Sequence, residues 1–194
     1  MLNNIAAIVG GAAPIAGDFE SIQTYTVTSG SGQASIEWTA IPSTYKHLQI
    51  RGIARGSRAT YGNDNMYLQV NGDTGSNYTW HKLQGNGANP VTAGGTGSAT
   101  TQITFNALAA SGAPTGDFSA HIIDILDYAS VNKNKTIRNL DGVDINGTVA
   151  GEGGVIELSS GSWMNSSTAI SSIKLYAGSP NFVQHTTFAL YGIK

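Results

Sequence analysis

An all-β domain is predicted by three features of the sequence: scarce charge, abundant glycine and small polar residues, and a period-two alternation that begins at Phe19. Charged residues make up 11% of the chain, against roughly 25% in an ordinary soluble domain. Solvent-exposed helices are normally covered with Glu, Lys and Arg, which keep their rotamer freedom there and pair along the face. That material is missing. Thr, Val, Ile and Tyr, punctuated by 25 glycines and by Asn turns, are what strands and tight turns use. The expected architecture is an antiparallel β-sandwich of jelly-roll-like form, with about ten strands and a short apolar N-terminal arm. At 194 residues one such domain can bury a substantial core.

Residues 1–18 form the arm, and 19–194 the domain. The arm is rich in Ala, Gly and Ile and carries no charge before Asp18. A signal peptide needs a positive leading segment, and there is none. Two readings stand: a frayed terminus, or an arm that orders only when packed on a neighbouring subunit. From Phe19, Ile22, Thr24 and Thr26 alternate with Gln23, Tyr25 and Val27, and Gly30-Ser31-Gly32 turns the chain. Residues 35–38 make a second strand, ended at Pro42. In 46–54, His47, Gln49, Arg51 and Ile53 share one face, and Leu48, Ile50 and Gly52 the other. Residues 65–70 are a strand, followed by Asn71-Gly72, the strongest short turn signal in the chain.

The extended pattern resumes over 78–83. Residues 84–99 are low in complexity and are expected to form a long exposed loop. Strands follow at 101–108 and 117–128, where the apolar run 120–126 is expected to be the most buried. Further strands are expected at 136–140, 155–158, 170–176 and 186–193. Asp141-Gly142, Asn146-Gly147 and Gly178-Ser179-Pro180 are read as turns. This spacing suits a sandwich rather than alternating strand–helix units.

The net charge of −2, without a block of either sign, excludes the basic footprint of a nucleic-acid binder. No apolar run is long enough to span a bilayer, so no membrane insertion is expected. Cysteine is absent, which removes disulfides and thiolate chemistry. The histidines, His47, His81, His121 and His185, lack zinc-ligand spacing. Asp124 with Asp127, and Asp141 with Asp144, are three apart and are not expected to face one glycosidic bond. The segment 71–77 resembles a calcium loop but lacks its closing bidentate Glu; a tight turn is the simpler reading. Sequons at Asn77, Asn146 and Asn165 are what a chain rich in Asn, Ser and Thr produces by chance. No catalytic, cofactor-binding or metal residues are assigned, and no cofactor is expected.

Aromatic residues are the best positive signal for binding. Trp38, Tyr45, Tyr61, Tyr67, Tyr78, Trp80 and Trp163 lie on strands or beside turns, where rings with polar neighbours suit a sugar face or a subunit interface. Burial in the core is the competing expectation for each. The candidate ligand or interface residues are Tyr61, Tyr78, Trp80, Asn86 and Asn89, on or near the 71–78 turn and the 84–99 loop.

Phe19-Glu20-Ser21-Ile22, the stretch 41–52 (IPSTYKHLQIRG), the stretch 71–78 (NGDTGSNY), Ile173-Lys174-Leu175-Tyr176 and the closing 188–194 (FALYGIK) together resemble a group of small virion proteins of tailed bacteriophages, often from aquatic cyanobacterial hosts. The resemblance runs in order from Phe19 to Lys194. It implies a jelly-roll-like domain displayed on the tail or the capsid exterior as a homotrimer, with no catalytic residues to carry over, and it gives the arm an anchoring role. The expected function is a tail-fibre or baseplate-associated structural protein that binds neighbouring virion proteins and, for host attachment, a host-surface glycan. A capsid decoration or head-fibre protein is the alternative. A polysaccharide-degrading tail enzyme is the third reading.

Overall fold

The computed structural model describes residues 18–86, 92–149 and 152–194. All regular structure there is β, in twelve strands: β1 (Phe19–Thr26), β2 (Ser35–Trp38), β3 (His47–Gly56), β4 (Asn63–Val70), β5 (Tyr78–Gly85), β6 (Thr92–Thr100), β7 (Ile103–Ala110), β8 (Ser119–Leu126), β9 (Lys135–Val149), β10 (Glu152–Trp163), β11 (Ile173–Ala177) and β12 (Thr187–Ile193). Eight of them form one antiparallel sheet, in the order β1-β12-β3-β8-β9-β10-β5-β6. A smaller antiparallel sheet runs β2-β11-β4-β7. The two join where Arg55 and Gly56 at the end of β3 pair in parallel with Ala109 and Ala110 of β7. The twelve strands are thus one open mixed sheet in two antiparallel parts.

The parts face each other across the core, with β7 lying over β8, β9, β10 and β5. Alternation along each strand sends one set of side chains inward. The small sheet contributes Ile36, Trp38, Met66, Leu68, Ile173 and Leu175; the large sheet contributes Leu48, Ile50, Ile123, Ile125, Ile137, Phe188 and Leu190. Arg55 is buried against the loop after β7, donating to the carbonyls of Ala113 (2.7 Å), Pro114 (2.7 Å) and Asp117 (2.9 Å). One guanidinium fork thereby satisfies three loop carbonyls beside the seam between the parts.

Several expectations need correcting. There are twelve strands among the described residues rather than about ten. Asp141-Gly142 and Asn146-Gly147 are not turns but interior positions of β9, where Gly142 pairs with both Ala120 and Ile156. Much of 84–99 is strand, since β5 runs to Gly85 and β6 begins at Thr92. Gly and Ala carry too little side chain there to display the alternation. The run 120–126 is not uniformly buried: Ser119, His121, Ile123 and Ile125 point in, while Ala120 and Ile122 are exposed. Asn71 and Gly72 do turn the chain, both at positive φ (53° and 64°), with Asp73 N donating to Val70 O. This turn carries the chain from the small sheet to the large one instead of closing a hairpin. Residues 1–17 of the arm lie outside the described residues.

Candidate functional site

The outer face of the large sheet carries the most distinctive surface of the molecule. Register sets Ile122 opposite Leu140, Leu140 opposite Leu158, and Leu158 opposite Leu83, across β8, β9, β10 and β5. Facing side chains in such a row touch, so the four form one aliphatic band about 14 Å wide at the usual strand spacing. All four are 40–48% exposed, and Ile156, one pleat along β10, is 62% exposed. Isolated exposed aliphatics are ordinary on a protein surface; a contiguous set marks a contact.

Beside the band the surface dips. The next cross-strand row is Ala120, Gly142, Ile156 and Gly85, and its small members leave an open hollow of about 570 Å³. Ala120, Gly142 and Gly85 floor it, Ile122, Leu140 and Ile156 wall it, and Asn86 and Asp144 are at its rim. A β-bulge between Glu152 and Gly154 shapes this end, as bulges do by re-aiming a strand. Gly154 has φ +114°, and a β-carbon there would lie 2.6 Å from Val143 O.

On the other side of the band runs a polar row. Arg138 Nη2 meets Asp124 Oδ2 at 2.7 Å, Gln49 Nε2 donates to Asp124 Oδ1 at 2.7 Å, and Arg51 Nε donates to Gln49 Oε1 at 2.5 Å. Arg51 also sits 5.4 Å from the Phe19 ring centre and 5.9 Å from that of Tyr191. Ser160 and His81 continue this row onto β10 and β5. Charge is thereby held at the margin of the aliphatic band, the arrangement of an interface with an apolar centre and a polar rim.

The inner face of the same strands holds a buried polar row. His121, Asp141 and Glu157 are in register on β8, β9 and β10, and all are almost completely buried, as are Asn139 and Ser159. His121 Nε2 is 2.7 Å from Ser119 Oγ, and His121 Nδ1 is 3.3 Å from Asp141 Oδ2 without hydrogen-bond geometry. Lys82 Nζ approaches Glu157 Oε2 at 3.7 Å. Burial, reinforced by the neighbouring Asp141 charge, pushes the Glu157 carboxyl up to about 7. Burial likewise lowers the Lys82 ammonium, against the pull of Glu157. This row is shut between the sheets. Among the described residues no three His, Asp or Glu side chains converge as metal ligands.

The candidate residues named from the sequence are not brought together. Tyr78 is fully buried, its hydroxyl donating to Asp73 O at 2.9 Å and accepting from Val70 N at 3.1 Å, and burial pushes it up to about 12. It is a core residue and offers no surface to a ligand. Trp80 points inward from β5 and packs against the core, with Gly97 of β6 beneath its indole. Tyr61 is exposed on the loop between β3 and β4, its ring 3.9 Å from the Arg58 guanidinium carbon. Asn86 does border the hollow; Asn89 lies outside the described residues. The calcium-like segment is internally saturated: Asp73 accepts from Gly75 N (2.8 Å), Asn77 Nδ2 (2.9 Å) and Trp163 Nε1 (2.7 Å).

Sequence reasoning missed Ile122, Leu140, Leu158, Leu83 and Ile156. For Ile122 the sequence signal is aliphatic residues on both faces of 120–126, which reads equally as a buried strand; Leu83, Leu140, Ile156 and Leu158 join it only through register. No helix among the described residues is long and apolar enough to cross a membrane. Comparison with protein-family models, with curated proteins and with solved structures finds no match to this chain.

Proposed function

We propose that this chain is a structural protein of a tailed-bacteriophage virion, tail-fibre or baseplate-associated, held among its protein neighbours through the aliphatic outer face of its large sheet. The observation that carries the binding role is the in-register band Ile122–Leu140–Leu158–Leu83 with its adjoining hollow. The virion setting rests on the resemblance described above. A protein partner fits this face better than a sugar does, because carbohydrate recognition leans on exposed rings, whereas Tyr78 and Trp80 are turned into the core.

The test is to raise antibodies to the full chain and to image purified phage particles by cryo-electron microscopy with bound Fab fragments. Label at fixed positions on the particle is the expected result. A few sites at the tail tip fit the tail assignment, and a lattice over the head replaces it with decoration. Particles without label, with the chain found only in the lysate, would overturn the virion reading. The face itself is tested by Leu140→Asp/Leu158→Asp, which is expected to abolish incorporation while leaving the circular dichroism spectrum unchanged.

A further inference from the structure

We infer that the aliphatic face receives the apolar arm, residues 1–17, of a second copy of this chain. This rests on the reading of that face as a protein contact and names its occupant. The arm is chemically matched to the band. Met1, Leu2, Ile5, Ile8, Val9 and Ile15 are its large apolar side chains, the rest is mostly Ala and Gly, and none of its side chains is charged. The receiving band is equally free of charge, and the hollow floored by Gly142 and Ala120 offers room for an inserted side chain.

The described chain begins at the edge of the large sheet. Phe19 opens β1, the edge strand of the large sheet, and its ring lies against Arg51, which is opposite Ile122. The direction of β1 then selects the second copy. Phe19 pairs with Ile193 at one end of the ladder, and the strand runs toward Thr26. Thr26, Thr187, Ile53, Ala120, Gly142 and Ile156 form one continuous cross-strand row, so the hollow lies at the Thr26 end. Asp18, just ahead of Phe19, therefore lies at the opposite end, beside Lys194. Reaching its own hollow requires the arm to reverse and travel back along the whole sheet. A neighbour set off that end takes the arm without reversal. Seventeen extended residues reach up to about 55 Å, well beyond the band's width of about 14 Å. Each copy then gives one arm and receives one, a head-to-tail contact that closes into a ring when the rotation permits.

The experiment uses three full-length proteins: the natural chain, an arm variant Ile5→Asp/Ile8→Asp, and the face variant Leu140→Asp/Leu158→Asp. Sedimentation equilibrium is expected to give the natural chain a multiple of 20.1 kDa and each variant alone the monomer mass, with unchanged circular dichroism. Mixing the variants pairs an intact arm with an intact face and is expected to restore a complex of twice the monomer mass. The chain has no cysteine, so a second readout is clean. Chains carrying Ile8→Cys alone, mixed with chains carrying Leu158→Cys alone, are expected to form a disulfide-linked heterodimer under mild oxidation. A monomeric natural chain, or no heterodimer in that mixture, overturns the inference. If the face variant is monomeric while the arm variant still assembles, the face reading stands and the arm inference falls. If both variants assemble, both fall.

Discussion

At Asp73 a single carboxylate ties together three pieces of chain. It fixes the turn through Gly75 N and Asn77 Nδ2, and it reaches across to the end of β10 through Trp163 Nε1. Burial disfavours its charge, but the donors of Trp163, Asn77 and Gly75 outweigh that and hold the carboxyl below its usual range. Asp73→Ala leaves the nearly buried indole N–H of Trp163 without its acceptor. The expected loss is about 2 kcal/mol of unfolding free energy, read from urea denaturation at neutral pH. Because the folded-state value is depressed, the carboxylate's contribution is present above the unfolded value and disappears as pH falls through the folded one. Glu157 has the opposite sign. Its folded-state value of about 7 stands above the ordinary 4.5, so between those values the folded chain holds a proton that the unfolded chain has released. Its contribution is complete below about pH 4.5 and is lost as pH rises through 7. Glu157→Gln removes that titration, so the stability difference between variant and natural chain should shift in the variant's favour from pH 4.5 to 7.5, by denaturant midpoints. A flat difference would show that Glu157 is not buried in an acidic row.

At the scale of single strands, register decides what a residue does. Gly52 lies on the inner face of β3, opposite Phe188, and a β-carbon there would stand 2.3 Å from Phe188 Cδ1 and 2.5 Å from Thr187 O. Because the backbone oxygen cannot step aside cheaply, Gly52→Ala is expected to cost about 2 kcal/mol, measurable as a lowered Tm with unchanged circular dichroism at 20 °C. Strand β3 was also the most legible element: the alternation of 46–54 gives both faces correctly, with Arg51 and Ile53 outward and Leu48 and Ile50 inward. The Asn71-Gly72 turn was legible because two successive positive φ angles demand those residue types. What it connects was not, since turn chemistry says nothing about which sheet the next strand joins. Strand β9 looks short in the sequence because Gly142 and Gly147 resemble turn residues one at a time, whereas pairing on both sides carries the strand through Gly142. The candidate site was barely legible. Ile122 and Ile123 are identical in type and adjacent, yet one is exposed and the other sealed in the core. Only the long-range pairing with β3 and β9 tells them apart.

Taken as a whole, the outer face of the large sheet holds the Arg138–Asp124 pair at its margin and leaves its centre aliphatic. Association through such a surface responds to salt differently from an ionic contact. Exposed ion pairs fade as ionic strength rises, whereas apolar burial is strengthened by excluded salts such as sulfate. Self-association of the natural chain, followed by sedimentation, is therefore expected to persist from 0.1 to 1 M sodium chloride and to tighten in ammonium sulfate, at ~ concentrations well below precipitation. Dissociation on raising sodium chloride would assign the contact to the Arg138–Asp124 row instead.

The pairing of Phe19 with Ile193 also determines how the domain meets mechanical load. Asp18 and Lys194 emerge side by side, joined by a backbone bond from Lys194 N to Asp18 O and by the Lys194–Glu20 ion pair. In an antiparallel ladder the hydrogen bonds stand perpendicular to the strands, so tension applied between these two points peels β1 from β12 one rung at a time. Tension that enters instead through the outer face of β8, β9 and β10 is shared by strands bonded on both sides. A particle that anchors this domain by its sheet rather than by its two ends would therefore hold it in the direction in which it yields least.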